Sequence, residues 1–143
     1  MLNEVENSCV LFKFLRNILP QNKIIKEVKN MMQQIDMSSP EFLNEMDKTK
    51  KFTDKINKQF GFVYNPNEDV NEGVIMGLAR HKMLYGKRFC PCFMVDELEN
   101  GKFKSADDRV CPCPQALEKE IPEDGKCHCG VFCTPDYAAN NDQ

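Results

Sequence analysis

Apolar residues recur at helical spacing through most of the chain before residue 87. This pattern predicts two helices, over 8–19 and 22–35, with Pro20 between them because proline cannot continue a helix. We interpret residues 1–38 as an N-terminal helical extension and residues 39–143 as a separate domain.

Two longer helices are predicted over 40–60 and 68–85. The pair Ser39-Pro40 is typical of a helix start, and the glycines Gly61 and Gly86 follow the last periodic residues, where helices commonly end. The predicted inward faces are Phe42, Met46, Phe52, Thr53, Ile56 and Phe60 in the first helix, and Val70, Val74, Ile75, Leu78 and Ala79 in the second.

The apolar periodicity fades after Gly86. Residues 87–143 contain seven of the eight cysteines and five of the eight prolines, with turns expected at Asn100-Gly101 and Asp124-Gly125. A segment with so little periodicity needs another source of order, and a bound metal centre can provide it. We therefore predict a mainly α fold, a small all-helical domain whose irregular, cysteine-rich C-terminal half wraps around a metal centre.

Composition narrows the class of protein. Hydrophobic residues make up 41% and charged residues 29% of the 143 residues, which is typical of a globular chain. The net charge is −3 and no basic cluster with interleaved aromatic residues is present, so a nucleic-acid partner is not expected.

The apolar stretch over 10–19 is too short and too charged to span a membrane. The first residues resemble neither a secretory signal nor a transit peptide, so we expect a reducing, cytoplasmic compartment.

Three Cys-x-Cys units dominate the second half: Cys90-Pro91-Cys92, Cys111-Pro112-Cys113 and Cys127-His128-Cys129. A disulfide framework is disfavoured by a reducing compartment. Structural zinc usually draws its ligands from Cys-x2-Cys to Cys-x4-Cys spacings, which fit less well. A four-iron cluster uses four thiolates, so six paired cysteines would leave one dithiol. The count alone does not assign any cysteine to either role.

These units and their flanks resemble the catalytic subunit of ferredoxin–thioredoxin reductase. The flanks are Gly77-Leu78-Ala79-Arg80-His81-Lys82 and Tyr85-Gly86 before the first unit, and Phe132-Cys133-Thr134-Pro135-Asp136 after the last, so the resemblance covers roughly residues 40–137. It implies that a 4Fe–4S cluster is held by Cys90, Cys111, Cys113 and Cys127. It also implies that Cys92 and Cys129 form a redox-active disulfide, with Cys92 as the exposed nucleophile and His128 assisting proton transfer.

The resemblance further implies a function and partners. The chain would pass electrons one at a time from ferredoxin to the disulfide of thioredoxin or a thioredoxin-like protein. A variable-type second subunit or a homo-oligomer is compatible with this assignment. The alternative hypothesis is a non-enzymatic interaction module, in which zinc or a cluster only stabilises the second half.

Five features lie outside the resemblance or invite a simpler interpretation. The segment 114–126 is longer than expected for the plant-type subunit and is predicted to add a short helical turn or loop. Phe93 stands where a basic residue is common, so a polar contact is expected to be missing. Cys133 is interpreted as a small buried hydrophobe, with a spare or resolving thiol as the alternative, and Cys9 as structural. His81 is interpreted as a solvated or capping histidine near a helix end, with a contact that supports a cluster ligand as the alternative.

Overall fold

The computed structural model describes residues 35–142. The helices predicted over 8–19 and 22–35 lie outside these residues, apart from Ile35 at the end of the second. The division of the chain between residues 38 and 39 stays a prediction. From Asp36 onward the chain forms one compact unit.

The first helix, α1, spans Pro40–Phe60 and confirms the predicted boundaries. The Ser39 hydroxyl accepts a hydrogen bond from the Phe42 N–H at 3.2 Å, which satisfies one of the free donors at the helix start. Gly61 ends the helix with a φ of 71°, a left-handed conformation that glycine adopts without steric cost.

The second helix, α2, spans Glu68–Tyr85 and ends at Gly86, again as predicted. The Asn67 side chain accepts a hydrogen bond from the Asp69 N–H at 3.0 Å and so caps its start. Val74, Ile75, Leu78 and Ala79 are buried, and Val70 is partly buried, so the predicted inward face is confirmed.

The predicted inward face of α1 is confirmed except at its last residue. Phe42, Thr53 and Ile56 are buried, whereas Phe60 is 42% exposed. As the last residue of the helix, Phe60 lies beyond the packed core, and its ring stacks on that of Phe62 with centroids 5.6 Å apart.

The chain after Gly86 contains short elements joined by turns. Strands β1 (Val95–Glu97) and β2 (Phe103–Ser105) form an antiparallel hairpin, with Val95 opposite Ser105. The hairpin was not predicted because each strand has only three residues, and a segment this short offers no clear period-2 pattern. Asn100-Gly101 lies in the turn between the strands, as expected.

The segment 114–126 contains the short helical structure that was predicted. A π-helical turn covers Ala116–Glu120 and continues into α3, Ile121–Asp124, which Gly125 ends. The last helix, α4, covers Pro135–Asn140, and the Thr134 side chain caps it. The mainly α fold is therefore confirmed, with one small hairpin added.

The core joins both helices to the cysteine-rich half. Residues from α1, α2 and the chain between Cys113 and Phe132 share one buried cluster, which consists of Ile56, Val74, Leu78, Cys113, Ala116, Ile121, Cys127, Val131 and Phe132. Two cysteines of the predicted metal site are thus part of the hydrophobic core, so the site is built into the packed interior of the fold.

Candidate active site

The first two Cys-x-Cys units are held side by side by backbone hydrogen bonds. The Cys90 N–H donates to the Arg109 carbonyl at 2.7 Å, and the Cys111 N–H donates to the Arg88 carbonyl at 2.9 Å. These bonds flank the antiparallel bridge between Phe89 and Val110. The short ladder brings cysteines that are about twenty residues apart in sequence into one place, which no local pattern predicts.

The third unit sits in a tight turn that faces the other two. The Cys127 N–H donates to the Phe132 carbonyl and the Gly130 N–H to the Cys127 carbonyl, both at 2.9 Å. The Phe132 N–H also points at the Cys127 sulfur, 3.5 Å away. A sulfur that receives an N–H donor is better able to carry negative charge, as a metal-bound thiolate does.

The sulfurs of Cys90, Cys92 and Cys129 lie together, all within 4.8 Å of one another. In this structure the bond joins Cys90 to Cys129, whose Cα atoms are 7.2 Å apart, and not Cys92 to Cys129 as the resemblance implies. Cys92 is a free thiol beside that bond. All three residues thus meet at one point, and the pairing between Cys92 and Cys129 stays a prediction.

A small, mostly apolar cavity separates the six cysteines of the three units into two groups. Five of them line it, namely Cys90, Cys111, Cys113, Cys127 and Cys129, together with apolar side chains of α2 and the C-terminal half. Cys92 does not line the cavity. Within residues 35–142, Cys92 is the only exposed cysteine.

Burial affects the thiols that line the cavity. It raises the pKa of Cys111 far above its usual range, and repulsion from Cys127 and Cys113 adds to the effect. Burial likewise raises the pKa of Cys127, although backbone N–H groups of Phe132, Gly130 and Val131 oppose the shift. Left alone, these thiols stay protonated in an apolar pocket.

A bound metal reverses that preference, because a coordinating thiol is deprotonated by the charge of the ion. The thiols that face this apolar cavity from three separate segments fit a metal centre with four cysteine ligands. The cavity volume is about 20 Å³, room for about one water molecule. A centre with several metal atoms therefore requires the Cys90–Cys129 bond to open and the sulfurs to separate.

The residue that follows Cys92 and the residue that precedes Cys129 contact each other. The His128 ring is exposed and lies against the Phe93 ring, with centroids 4.8 Å apart. Phe93 also receives the Arg109 guanidinium, which lies 4.3 Å from the ring centroid. The expected loss of a polar contact at Phe93 is thus offset by a cation–π contact from another segment.

Comparison with known proteins agrees with this geometry. A family model described as the ferredoxin thioredoxin reductase catalytic beta chain matches residues 39–143. This chain belongs to that family. The resemblance inferred from the cysteine units is therefore confirmed.

The similar proteins include red algal and plant chains. The ferredoxin-thioredoxin reductase catalytic chain of Pyropia yezoensis is 37% identical over 107 residues, which cover 74% of this chain and 83% of the relative. That of Porphyra purpurea is 34% identical over 102 residues, covering 71% and 80%. The chloroplastic catalytic chain of Arabidopsis thaliana is 33% identical over 91 residues, covering 61% and 55%. Between residues 35 and 142, no helix combines the length and apolar character needed to cross a bilayer.

His81 corrects one interpretation made from the sequence. It is 8% exposed rather than solvated, and its Nδ1 lies 2.8 Å from the Phe89 carbonyl oxygen. Burial lowers the pKa of His81, and the bond to Phe89 opposes that shift. Because Phe89 precedes Cys90, the imidazole supports the backbone from which the first cysteine unit starts. The sequence signal for a supporting role of His81 was its position within the family motif, next to Arg80.

Cys133 confirms its interpretation as a buried hydrophobe. It is fully buried, and its thiol donates to the Gly130 carbonyl oxygen at 3.4 Å. Burial raises the pKa of Cys133 to about 11, so it stays protonated at neutral pH. Cys9 lies outside the described residues.

Proposed function

We propose that this chain is the catalytic component of a ferredoxin-dependent reductase that reduces the disulfide of thioredoxin or a thioredoxin-like protein. We further propose that Cys92 and Cys129 are its redox-active pair, and that a 4Fe–4S cluster is its cofactor. Family membership and the arrangement of the sulfurs support this function jointly.

The observation that carries the proposal is the separate position of Cys92. Five cysteines of the three units line a small apolar cavity, whereas Cys92 lies outside it and is exposed, with its sulfur within 4.8 Å of the Cys129 sulfur. A site that only binds a structural metal needs no exposed thiol at this distance. A disulfide reductase needs one, because its nucleophile must reach the disulfide of another protein.

The proposed redox pair is Cys92 and Cys129, whereas the disulfide in the structure joins Cys90 to Cys129. One thiol–disulfide exchange converts the second bond into the first. A thiolate breaks a disulfide by attacking one of its sulfurs, and the Cys92 sulfur is already adjacent to that of Cys129. Attack by Cys92 on Cys129 forms the Cys92–Cys129 disulfide and releases Cys90 as a thiolate. Cys90 then becomes available as a metal ligand on the cavity side.

The reduced pair acts in two exchange steps. The Cys92 thiolate attacks one sulfur of the target disulfide, which forms a mixed disulfide and releases the other target sulfur as a thiolate. The Cys129 thiolate then attacks the Cys92 sulfur and releases the second target sulfur. The target has gained two electrons and, after protonation, two protons. The Cys92–Cys129 disulfide that remains must receive two electrons from ferredoxin before the next cycle.

The proposed ligands are Cys90, Cys111, Cys113 and Cys127. A 4Fe–4S cluster at this site would supply electrons one at a time, which suits a donor such as ferredoxin. Cys129 lines the cavity next to these ligands, so it is the thiol of the pair on the metal side. We assign His128 to proton transfer, since it separates Cys127 from Cys129 and its ring is exposed beside Phe93.

The partners belong to the proposal as well. The named relatives are catalytic chains of ferredoxin-thioredoxin reductases, a description that implies a second subunit in those proteins. We propose ferredoxin as donor, a thioredoxin-like protein as acceptor, a second subunit or a second copy of this chain as assembly partner, and a cytoplasmic location.

Anaerobic purification of the chain tests the cofactor. We expect a brown protein that contains about four iron and four sulfide per chain, as one 4Fe–4S cluster requires. Cys113→Ser is expected to lose most of the iron. A colourless protein with one zinc per chain would contradict the proposal and favour the non-enzymatic interaction module.

Variants of the exposed cysteine test the reaction. Cys92→Ser is expected to retain the iron and lose reduction of a thioredoxin disulfide, whereas Cys133→Ala, a buried thiol outside both groups, is expected to retain both. Peptide mapping after mild oxidation of the iron-loaded protein is expected to find Cys92 linked to Cys129. A persistent link between Cys90 and Cys129 in a protein that still reduces thioredoxin would overturn the assignment.

A further inference from the structure

One guanidinium, that of Arg109, contacts the second cysteine unit and the residue that follows the first, and it reaches the third unit through a carboxylate. Its Nη1 donates to the Cys113 sulfur at 3.6 Å, in the second unit. Its plane covers the ring of Phe93, which follows the first unit, at 4.3 Å from the centroid. The same Nη1 donates at 2.6 Å to Glu120, which contacts the third unit.

Glu120 uses both oxygens of its carboxylate in this arrangement. Oε1 accepts from Arg109, and Oε2 accepts the backbone N–H of His128 at 3.1 Å. Glu120 ends the π-helical turn in the segment between Cys113 and Cys127. This segment thus supplies the carboxylate that joins Arg109 to the backbone between Cys127 and Cys129.

The ion pair is largely removed from water. The Arg109 and Glu120 side chains are only 11% and 17% exposed. The Nε of Arg109 is buried and has no acceptor among residues 35–142. Glu120 supplies one negative partner, but the buried Nε donor stays unpaired at a cost, so further negative charge near the guanidinium would stabilise it. Thiolate ligands around a metal centre carry that charge, and the Cys113 sulfur is already in contact.

We propose that Arg109 and Glu120 are positioning residues that set the reduction potential of the metal centre. This inference rests on the proposed function. Arg109 places a positive charge against the ligand Cys113 and favours the more negative, reduced state of the centre. Glu120 offsets that charge and fixes the backbone of the Cys-His-Cys turn. Removing Arg109 and removing Glu120 therefore shift the reduction potential in opposite directions.

Redox titration of the iron-loaded protein, followed by electron paramagnetic resonance with soluble mediators, tests the proposal. Arg109→Met removes the charge and is expected to shift the midpoint potential of the cluster to more negative values. Glu120→Gln leaves the guanidinium uncompensated and is expected to shift it to more positive values. For Arg109→Met we expect about a tenfold change in the one-electron equilibrium constant, which is about 59 mV. Arg109→Lys, which keeps the charge, is expected to restore most of the wild-type potential.

Asp54→Asn is the matched control. It changes the net charge of the chain by the same amount as Glu120→Gln, but Asp54 bonds to Lys50 and Tyr64 and to none of the cysteines between residues 90 and 133. Its potential is expected to equal that of the wild type. A merely structural role for the Arg109–Glu120 pair would lower stability in both variants without shifts of opposite sign.

The outcomes separate this inference from the proposed function. A wild-type protein without a redox-active iron centre overturns both. A wild-type cluster whose potential is unchanged in Arg109→Met and Glu120→Gln, or is shifted in the same direction by both, overturns only the inference. If Arg109→Met fails to bind iron, the sign of the shift in Glu120→Gln decides alone: a positive shift supports the inference, and no shift or a negative one refutes it.

Discussion

Gly77 of α2 lies directly against the proline of the first cysteine unit. A Cβ atom at Gly77 would lie 2.6 Å from both Cβ and Cγ of Pro91, closer than non-bonded carbons pack. Proline has a rigid ring and cannot rotate out of the way. Pro91 is bonded to Cys90 on one side and Cys92 on the other, so Gly77→Ala must displace at least one of these cysteines or the helix itself.

The same helix offers a control at Gly73, where an added Cβ meets nothing within 4 Å. Alanine in place of glycine inside a helix stabilises it by about 0.5–1 kcal/mol, and this gain is common to both variants. Gly77→Ala additionally carries an overpacking cost, typically about 1–3 kcal/mol. The free energy of unfolding of Gly77→Ala is therefore expected to fall below that of Gly73→Ala by about 1–3 kcal/mol.

Urea unfolding of both variants under the same redox conditions measures this difference. Gly73→Ala is expected to be more stable than the wild type and Gly77→Ala less stable than Gly73→Ala. Alkylation of the native protein, followed by mass spectrometry, is expected to show an altered labelling rate at Cys92 in Gly77→Ala only. The reasoning is refuted if both alanines stabilise the protein equally and Cys92 reacts at the wild-type rate in each.

Three further predictions follow from single contacts. Burial lowers the pKa of His81 below the ordinary value of 6.5, so the unfolded chain takes up a proton first as the pH falls. The free energy of unfolding should therefore decrease below about pH 6.5. Urea unfolding at about pH 8 and about pH 5 should show a smaller decrease in His81→Gln than in the wild type. Equal pH dependence in both proteins would argue against this. Cys133, with a pKa of about 11, is expected to stay unlabelled by iodoacetamide at about pH 8 in the folded protein and to react after denaturation; rapid native labelling would contradict its burial. Tyr64→Phe removes the hydroxyl that lies 2.6 Å from Asp54, 2.7 Å from Thr53 and 3.2 Å from Lys50, and is expected to cost about 0.5–1.5 kcal/mol in urea unfolding, whereas an unchanged midpoint would mean that solvent replaces these bonds.

Local patterns predicted the two long helices well. The two helices begin directly after the capping residues Ser39 and Asn67, and they end directly before the glycines Gly61 and Gly86. Such signals act through neighbouring backbone groups, so they are visible in the sequence without a fold. The exposure of Phe60 shows the limit of this approach, because helical spacing does not reveal where the partner surface ends.

Long-range contacts were not predictable in the same way. The β1–β2 hairpin is too short to produce a pattern. Helical spacing does not indicate that the His81 ring is buried against the Phe89 carbonyl, and only the place of His81 in the family motif singles it out. The Arg109–Glu120 pair joins residues eleven positions apart across a turn, and its relation to the cysteines appears only once the three units are brought together. Charged residues in a polar segment are ordinarily solvated, so no local pattern singles out Arg109 or Glu120.

The amino-acid sequence by itself determined the chemistry that this protein has at its disposal: six cysteines in three units, two stiffened by proline and one divided by histidine, attached to two capped helices. Only the tertiary structure decided which sulfurs line the apolar cavity and which one faces solvent. The physical reason is that spacing within a unit depends on local backbone angles. The distance between units depends on the Phe89–Val110 ladder, the turn at Cys127 and the packing of Pro91 on Gly77, which exist only in the folded chain.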